Sequence, residues 1–126
     1  MQLQLINQSM KKIYHLSTCS TCQRIIKELQ PLTDFVLQDI KTDPITACQL
    51  EQMHDFSESY ESLFSKRAVL YRERNLKEQE LSEADIKALI LEQYTFLKRP
   101  VIIVDDQIFI GNTKKVIEAA KKVIHS

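Results

Sequence analysis

Little in this 126-residue chain is built for tight turns or for crosslinks: it has one glycine, three prolines, three cysteines and no tryptophan. So few glycines and prolines exclude a low-complexity or loop-dominated polymer. An odd number of cysteines excludes a disulfide framework and points instead to redox or metal chemistry. No apolar run approaches the ~18 residues that cross a bilayer. The first ten residues are polar and glutamine-rich, without the basic start and apolar stretch of a secretory signal. Charge of one sign is missing too, because 17 basic and 17 acidic residues cancel. A whole-protein field that gathers nucleic acid or an anionic membrane is thereby removed. These absences lead us to expect a cytoplasmic chain with no membrane segment and no direct nucleic-acid contact.

What is present is an ordinary globular composition, 44% hydrophobic and 27% charged, in a length that suits one domain. Met10-Lys11-Lys12 resembles a second start, so residues 1–10 are expected to be a disordered extension and residues 11–126 a single domain. Residues 11–16 are β-branched and aromatic at their centre and read as a strand. A helix follows over Thr21 to Gln30, with Ile25, Ile26 and Leu29 on one face and Pro31 closing it. Residues 33–38 read as a second strand, parallel to the first. Asp43-Pro44 reads as a helix start whose apolar face is Leu50 and Met53, and residues 58–65 as a further short helix. The charged stretch 67–80 carries no clear period. Ser82-x-x-Asp85 opens a helix bearing Ile86, Leu89, Ile90 and Tyr94. Residues 101–104 and 107–110 form a hairpin across Asp105-Asp106, and a last helix carries Val116, Ile117, Ala120 and Ile124. The order is βαβ, a helical insertion over about 43–98, then ββα: an α/β chain of thioredoxin-like order.

The chemistry gathers at Cys19-Ser20-Thr21-Cys22, where the first strand meets the first helix. Unpaired N–H groups and the helix dipole favour an anion there, so Cys19 is expected to be a thiolate nucleophile of depressed pKa. Cys22, three residues on, lies within disulfide reach and is expected to resolve the bond that Cys19 forms. Thr21 adds a hydroxyl, and His15 lies close enough in sequence to tune the site. Pro100, directly before a buried strand, is a cis-proline candidate facing the motif. A Cys-x-x-Cys is also half of a zinc site, but only Cys48, His15 and His54 remain to complete it, at unfamiliar spacings, and no metal is expected. Two inert buried thiols are the other alternative. Cys48 falls off the apolar face of its helix, where it is either a spare resolving thiol or a plain surface cysteine.

Tyr14-His15-x-x-x-Cys19-x-Thr21-Cys22, Arg67-x-x-x-Tyr71 and Lys98-Arg99-Pro100-Val-Ile-Ile, in that order, resemble the ArsC/Spx family of arsenate reductases and redox-sensing regulators. The resemblance implies a thioredoxin-like domain with a helical insertion, a reactive Cys19, and Arg67 and Arg99 holding an oxyanion or a glutathione carboxylate. It implies no bound cofactor, with glutathione and glutaredoxin, or thioredoxin, as electron donor and a small oxyanion or thiol as substrate. The sequence departs from the glutathione-linked reductases at Cys22, where they have no cysteine, and at Gln23, where they have arginine. Only Lys114 is basic where they carry a third oxyanion arginine. The alternative that the resemblance implies is an Spx-like switch, in which a Cys19–Cys22 disulfide governs binding to the RNA polymerase alpha subunit.

Overall fold

The first strand has to be buried on both sides, because Ile13 and Tyr14 are adjacent, point to opposite faces and are both inaccessible. A computed structural model, which describes residues 10–126, places it accordingly at the centre of a four-stranded sheet. The expected extension at residues 1–10 lies outside the described residues save for Met10. The strands are β1 (Lys11–His15), β2 (Val36–Asp39), β3 (Val101–Val104) and β4 (Gln107–Ile110), in the order β2-β1-β3-β4. β1 runs parallel to β2, with Ile13 opposite Leu37 and His15 opposite Asp39. It runs antiparallel to β3, with Ile13 opposite Ile102. β3 and β4 close the hairpin with Ile102 opposite Phe109.

The helices are α1 (Ser20–Leu29), α2 (Ala47–Ser57), α3 (Val69–Glu73), α4 (Glu83–Glu92) and α5 (Lys114–Ile124). Chain contacts divide these elements into two units: one runs to Asp39 and resumes at Arg99, the other is Ile40–Lys98. In the first, α1 buries Cys22, Ile25 and Leu29, a helical stripe, and α5 buries Ile117 and Ala120. With Ile13, Ile102 and Val104 the isoleucines, leucine and alanine make one apolar cluster, edged by Leu32, Phe35 and Phe109. Cys22 therefore sits on the helix face that the core dictates.

The second unit is wound from α2, α3, α4 and the 3-10 turns Glu61–Leu63, Leu76–Glu78 and Tyr94–Phe96. An antiparallel bridge joins Phe64 to Leu97, backed by bonds from Ser65 N–H to the Phe96 carbonyl at 2.7 Å and from Lys98 N–H to the Leu63 carbonyl at 2.8 Å. Phe64 stacks on Phe96 at 5.4 Å and meets the edge of Tyr71 at 5.8 Å.

Four boundaries differ from the sequence reading by more than one residue. The second strand starts at Val36 rather than at 33, because Asp34 takes a left-handed φ of 67° and turns the chain first. The insert's first helix does not start on Asp43-Pro44. Thr46 and Gln49 form a reciprocal capping box, which satisfies two orphan donors where an Asp cap satisfies one. Residues 58–65 make only the 3-10 turn Glu61–Leu63, the left-handed Glu58 having already ended α2. Tyr94 belongs to the 3-10 turn after α4, not to the helix. Among the described residues no helix is long and apolar enough to cross a membrane.

Candidate functional site

Cys19 is the N-cap of α1, half-buried, with extended backbone angles of −94° and 117°. Its placement follows from the strand-to-helix junction: β1 ends at His15, and the Cys19 N–H donates back to the Leu16 carbonyl at 3.0 Å, closing one turn before the helix begins. Among the described residues its side chain takes no cap hydrogen bond, so the first N–H groups of α1 remain available. Burial works against the Cys19 anion, but the backbone N–H groups of Cys22 and Thr21, the Cys22 thiol and the Arg99 guanidinium outweigh it. The thiol lies below its ordinary value.

Cys22 is the opposite case. It is 1% exposed, on the core face of α1. Burial pushes its thiol up; a backbone contact from Leu16 opposes this and the neighbouring Cys19 adds to it. The two thiols are both free, one depressed and half-open, one raised and enclosed. That asymmetry is what a thiol pair needs in order to attack with one sulfur and resolve with the other.

Arg99 ends the insert's return path and precedes Pro100, whose peptide bond is cis and whose carbonyl accepts from Gly111 N–H at 2.9 Å. Its charge reaches both sulfurs. Thr21 enters through its backbone N–H. His15 faces Asp39: burial lowers its pKa and the Asp39 carboxylate raises it, with burial the larger effect. Arg67 belongs to the second unit, exposed in the turn before α3. Cys48 is exposed on α2.

The chain matches the ArsC family over residues 14–120. It belongs to the ArsC family. Solved structures agree in fold. An ArsC-related protein from Bacteroides fragilis is 22% identical over 90% of this chain and 96% of its own, with a TM-score of 0.75. A possible arsenate reductase from Streptococcus mutans is 26% identical over 90% and 98%, with a TM-score of 0.71. An arsenate reductase from Vibrio cholerae is 19% identical over 90% and 98%, with a TM-score of 0.67. A search of curated proteins gives no match.

Sequence reasoning missed the residues that hold the turn before Cys19 in this family member. The Asp39 carboxylate accepts from Ser17 N–H at 3.2 Å and from its hydroxyl at 2.5 Å, and the Gln23 side-chain amide donates to the Ser17 carbonyl. Asp39 is 22 residues from Ser17, so no local pattern signals the contact. The available signal was the parallel register, which places the end of β2 beside the end of β1.

Proposed function

We propose that this ArsC-family chain is a thiol–disulfide oxidoreductase with Cys19 as nucleophile and Cys22 as resolving thiol. The observation that carries the reading is the Cys19 sulfur at the start of α1, its anion favoured by the N–H groups of Cys22 and Thr21 and by Arg99. The Cys19 thiolate attacks an oxidised centre. With a disulfide substrate, one S–S bond breaks, a mixed disulfide forms and a thiolate leaves. With arsenate, an As–S bond forms as an oxygen leaves as water. Cys22, having given up its proton, then attacks the Cys19 sulfur. The electron pair of the broken bond goes to the departing sulfur, or to arsenic, which passes from the pentavalent to the trivalent state. A Cys19–Cys22 disulfide remains. Two electrons from glutathione with glutaredoxin, or from thioredoxin, in the cytoplasm restore the dithiol. Arg99, whose charge acts on the site, orients an oxyanion or a glutathione carboxylate. We extend the same proposal to Arg67 on the resemblance alone.

The test is turnover of arsenate and of a generic disulfide with each donor system. Cys19→Ser is expected to abolish it. Cys22→Ser is expected to accumulate a Cys19 adduct visible by mass spectrometry and to lose multiple turnover. Full turnover in Cys22→Ser would remove that thiol from the mechanism. No turnover with any donor, together with redox-dependent capture of RNA polymerase alpha subunit, would replace the enzyme by an Spx-like switch.

A further inference from the structure

The turn that delivers Cys19 is held from two sides. The bond from Cys19 N–H to the Leu16 carbonyl makes Leu16–Cys19 a four-residue turn with Ser17 and Thr18 at its centre. Ser17 is exposed, yet its N–H, its hydroxyl and its carbonyl are all engaged. Asp39, the last residue of β2, takes the first two through separate carboxylate oxygens. Gln23, one turn into α1, takes the third. The Ser17 carbonyl belongs to the central peptide of the turn, the unit whose orientation separates the common turn types. Binding that carbonyl opposes a peptide flip. Binding the N–H and hydroxyl ties the turn to the end of the sheet.

We propose that Asp39 and Gln23 are positioning residues of the redox site, clamping Ser17 so that the Cys19 sulfur stays over the open start of α1. The inference rests on the reading of Cys19 as the redox nucleophile. It is not an effect of charge at a distance. The groups that act on the Cys19 anion are Cys22, Thr21 and Arg99, whereas Asp39 acts on His15. Asp39 and Gln23 therefore reach the sulfur through the backbone that carries it. A thiolate stabilised by N–H groups depends steeply on aim, since hydrogen bonds weaken sharply once they bend. A loosened turn loses the anion before it loses the fold.

The experiment uses the full reduced chain and follows the pH dependence of Cys19 alkylation, peptide by peptide, by mass spectrometry. Asp39→Ala and Gln23→Leu are each expected to lower the Cys19 thiolate fraction at neutral pH by about tenfold, the scale of one lost hydrogen bond to a charged group, with kcat/KM falling in step. Asp39→Asn keeps an acceptor for the Ser17 N–H and is expected to restore most of the loss. Adding Ser17→Ala to Asp39→Ala is expected to cost less than the product of the single effects, because both act through one contact. A shift of under about twofold in folded Asp39→Ala and Gln23→Leu would overturn the proposal on this scale. If Asp39→Ala fails to fold, Gln23→Leu and Ser17→Ala decide it by the same titration. The titration needs no turnover. An inactive wild-type chain would sink the oxidoreductase reading and leave the clamp to be judged by Cys19 alone.

Discussion

The start of α1 and the starts of α2 and α4 solve the same problem in opposite ways. Each leaves its first N–H groups without helical partners. In the 40–98 unit, Thr46 with Gln49 and Ser82 with Asp85 close reciprocal capping boxes, at 3.0 and 3.1 Å and at 3.1 and 2.9 Å. The Ser82 backbone N–H, followed by its hydroxyl, holds the Asp85 carboxyl below its ordinary range. At α1 the cap position is given to a cysteine, and the N–H groups are left to a sulfur. α2 and α4 use their starts for stability, as α5 does through Thr113, whereas α1 leaves its own to the Cys19 thiol. The insert also carries close ion pairs. Arg74 grips Glu92 with two bonds at 3.0 and 2.9 Å, and Lys87 meets Glu51 at 2.6 Å, all within the insert.

The largest effects should come from the two cores. Phe96→Ala removes the ring that stacks on Phe64 and lies under Arg74, and is expected to cost about 3–5 kcal/mol in urea denaturation. Leu29→Ala, in the sheet unit's cluster, is expected to cost about 2–5 kcal/mol. A Phe96→Ala loss under about 1 kcal/mol would mean that the insert is held by its caps and ion pairs rather than by its aromatics.

Next come the caps, where the comparison makes a signed prediction. Thr46→Ala and Ser82→Ala should each lose about 1 kcal/mol. Cys19→Ser should move the other way under reducing conditions, gaining a few tenths to about 1 kcal/mol while turnover disappears, because serine is a true cap. Chemical denaturation of the three variants decides it. A destabilised Cys19→Ser would show that the sulfur already caps the helix.

Most of the sheet unit is legible in the sequence because its signals are local and periodic. Ile25 and Leu29 mark α1 and Val101–Val104 reads as a continuous buried run, and in the insert Ser82-x-x-Asp85 announces α4 by the same kind of local signal. The insert is less legible where structure depends on competition. Asp43-Pro44 is a sound helix start by itself and is displaced only because Thr46 and Gln49 satisfy one another. Residues 67–80 fold as a five-residue helix and a 3-10 turn, too short to show a period, separated by a left-handed Asn75. At the site, Cys19 and Cys22 announce themselves by spacing. The Asp39–Ser17–Gln23 contacts do not, because they join the end of one strand to the turn after another.

The smallest effect concerns Tyr14, on the β1 face opposite Ile13. Its side chain is 1% exposed, and its hydroxyl has no hydrogen-bond partner among the described residues. Burial pushes its pKa from 10.0 up to about 12. The folded chain thus holds this proton more tightly than the unfolded chain. The corresponding stability is complete below pH 10 and is lost as pH rises through about 12. Tyr14→Phe deletes a hydroxyl that makes no bond, so at neutral pH stability should change by no more than about 1 kcal/mol in either direction. In alkali the variant should lose less stability than the parent between pH 10 and about 12, as read by denaturant midpoints. A neutral-pH loss above about 2 kcal/mol would reveal a bonded hydroxyl, with water as its partner. Tyr14 would then join the polar groups that hold the sheet unit, and the contrast with the heavily capped insert would narrow.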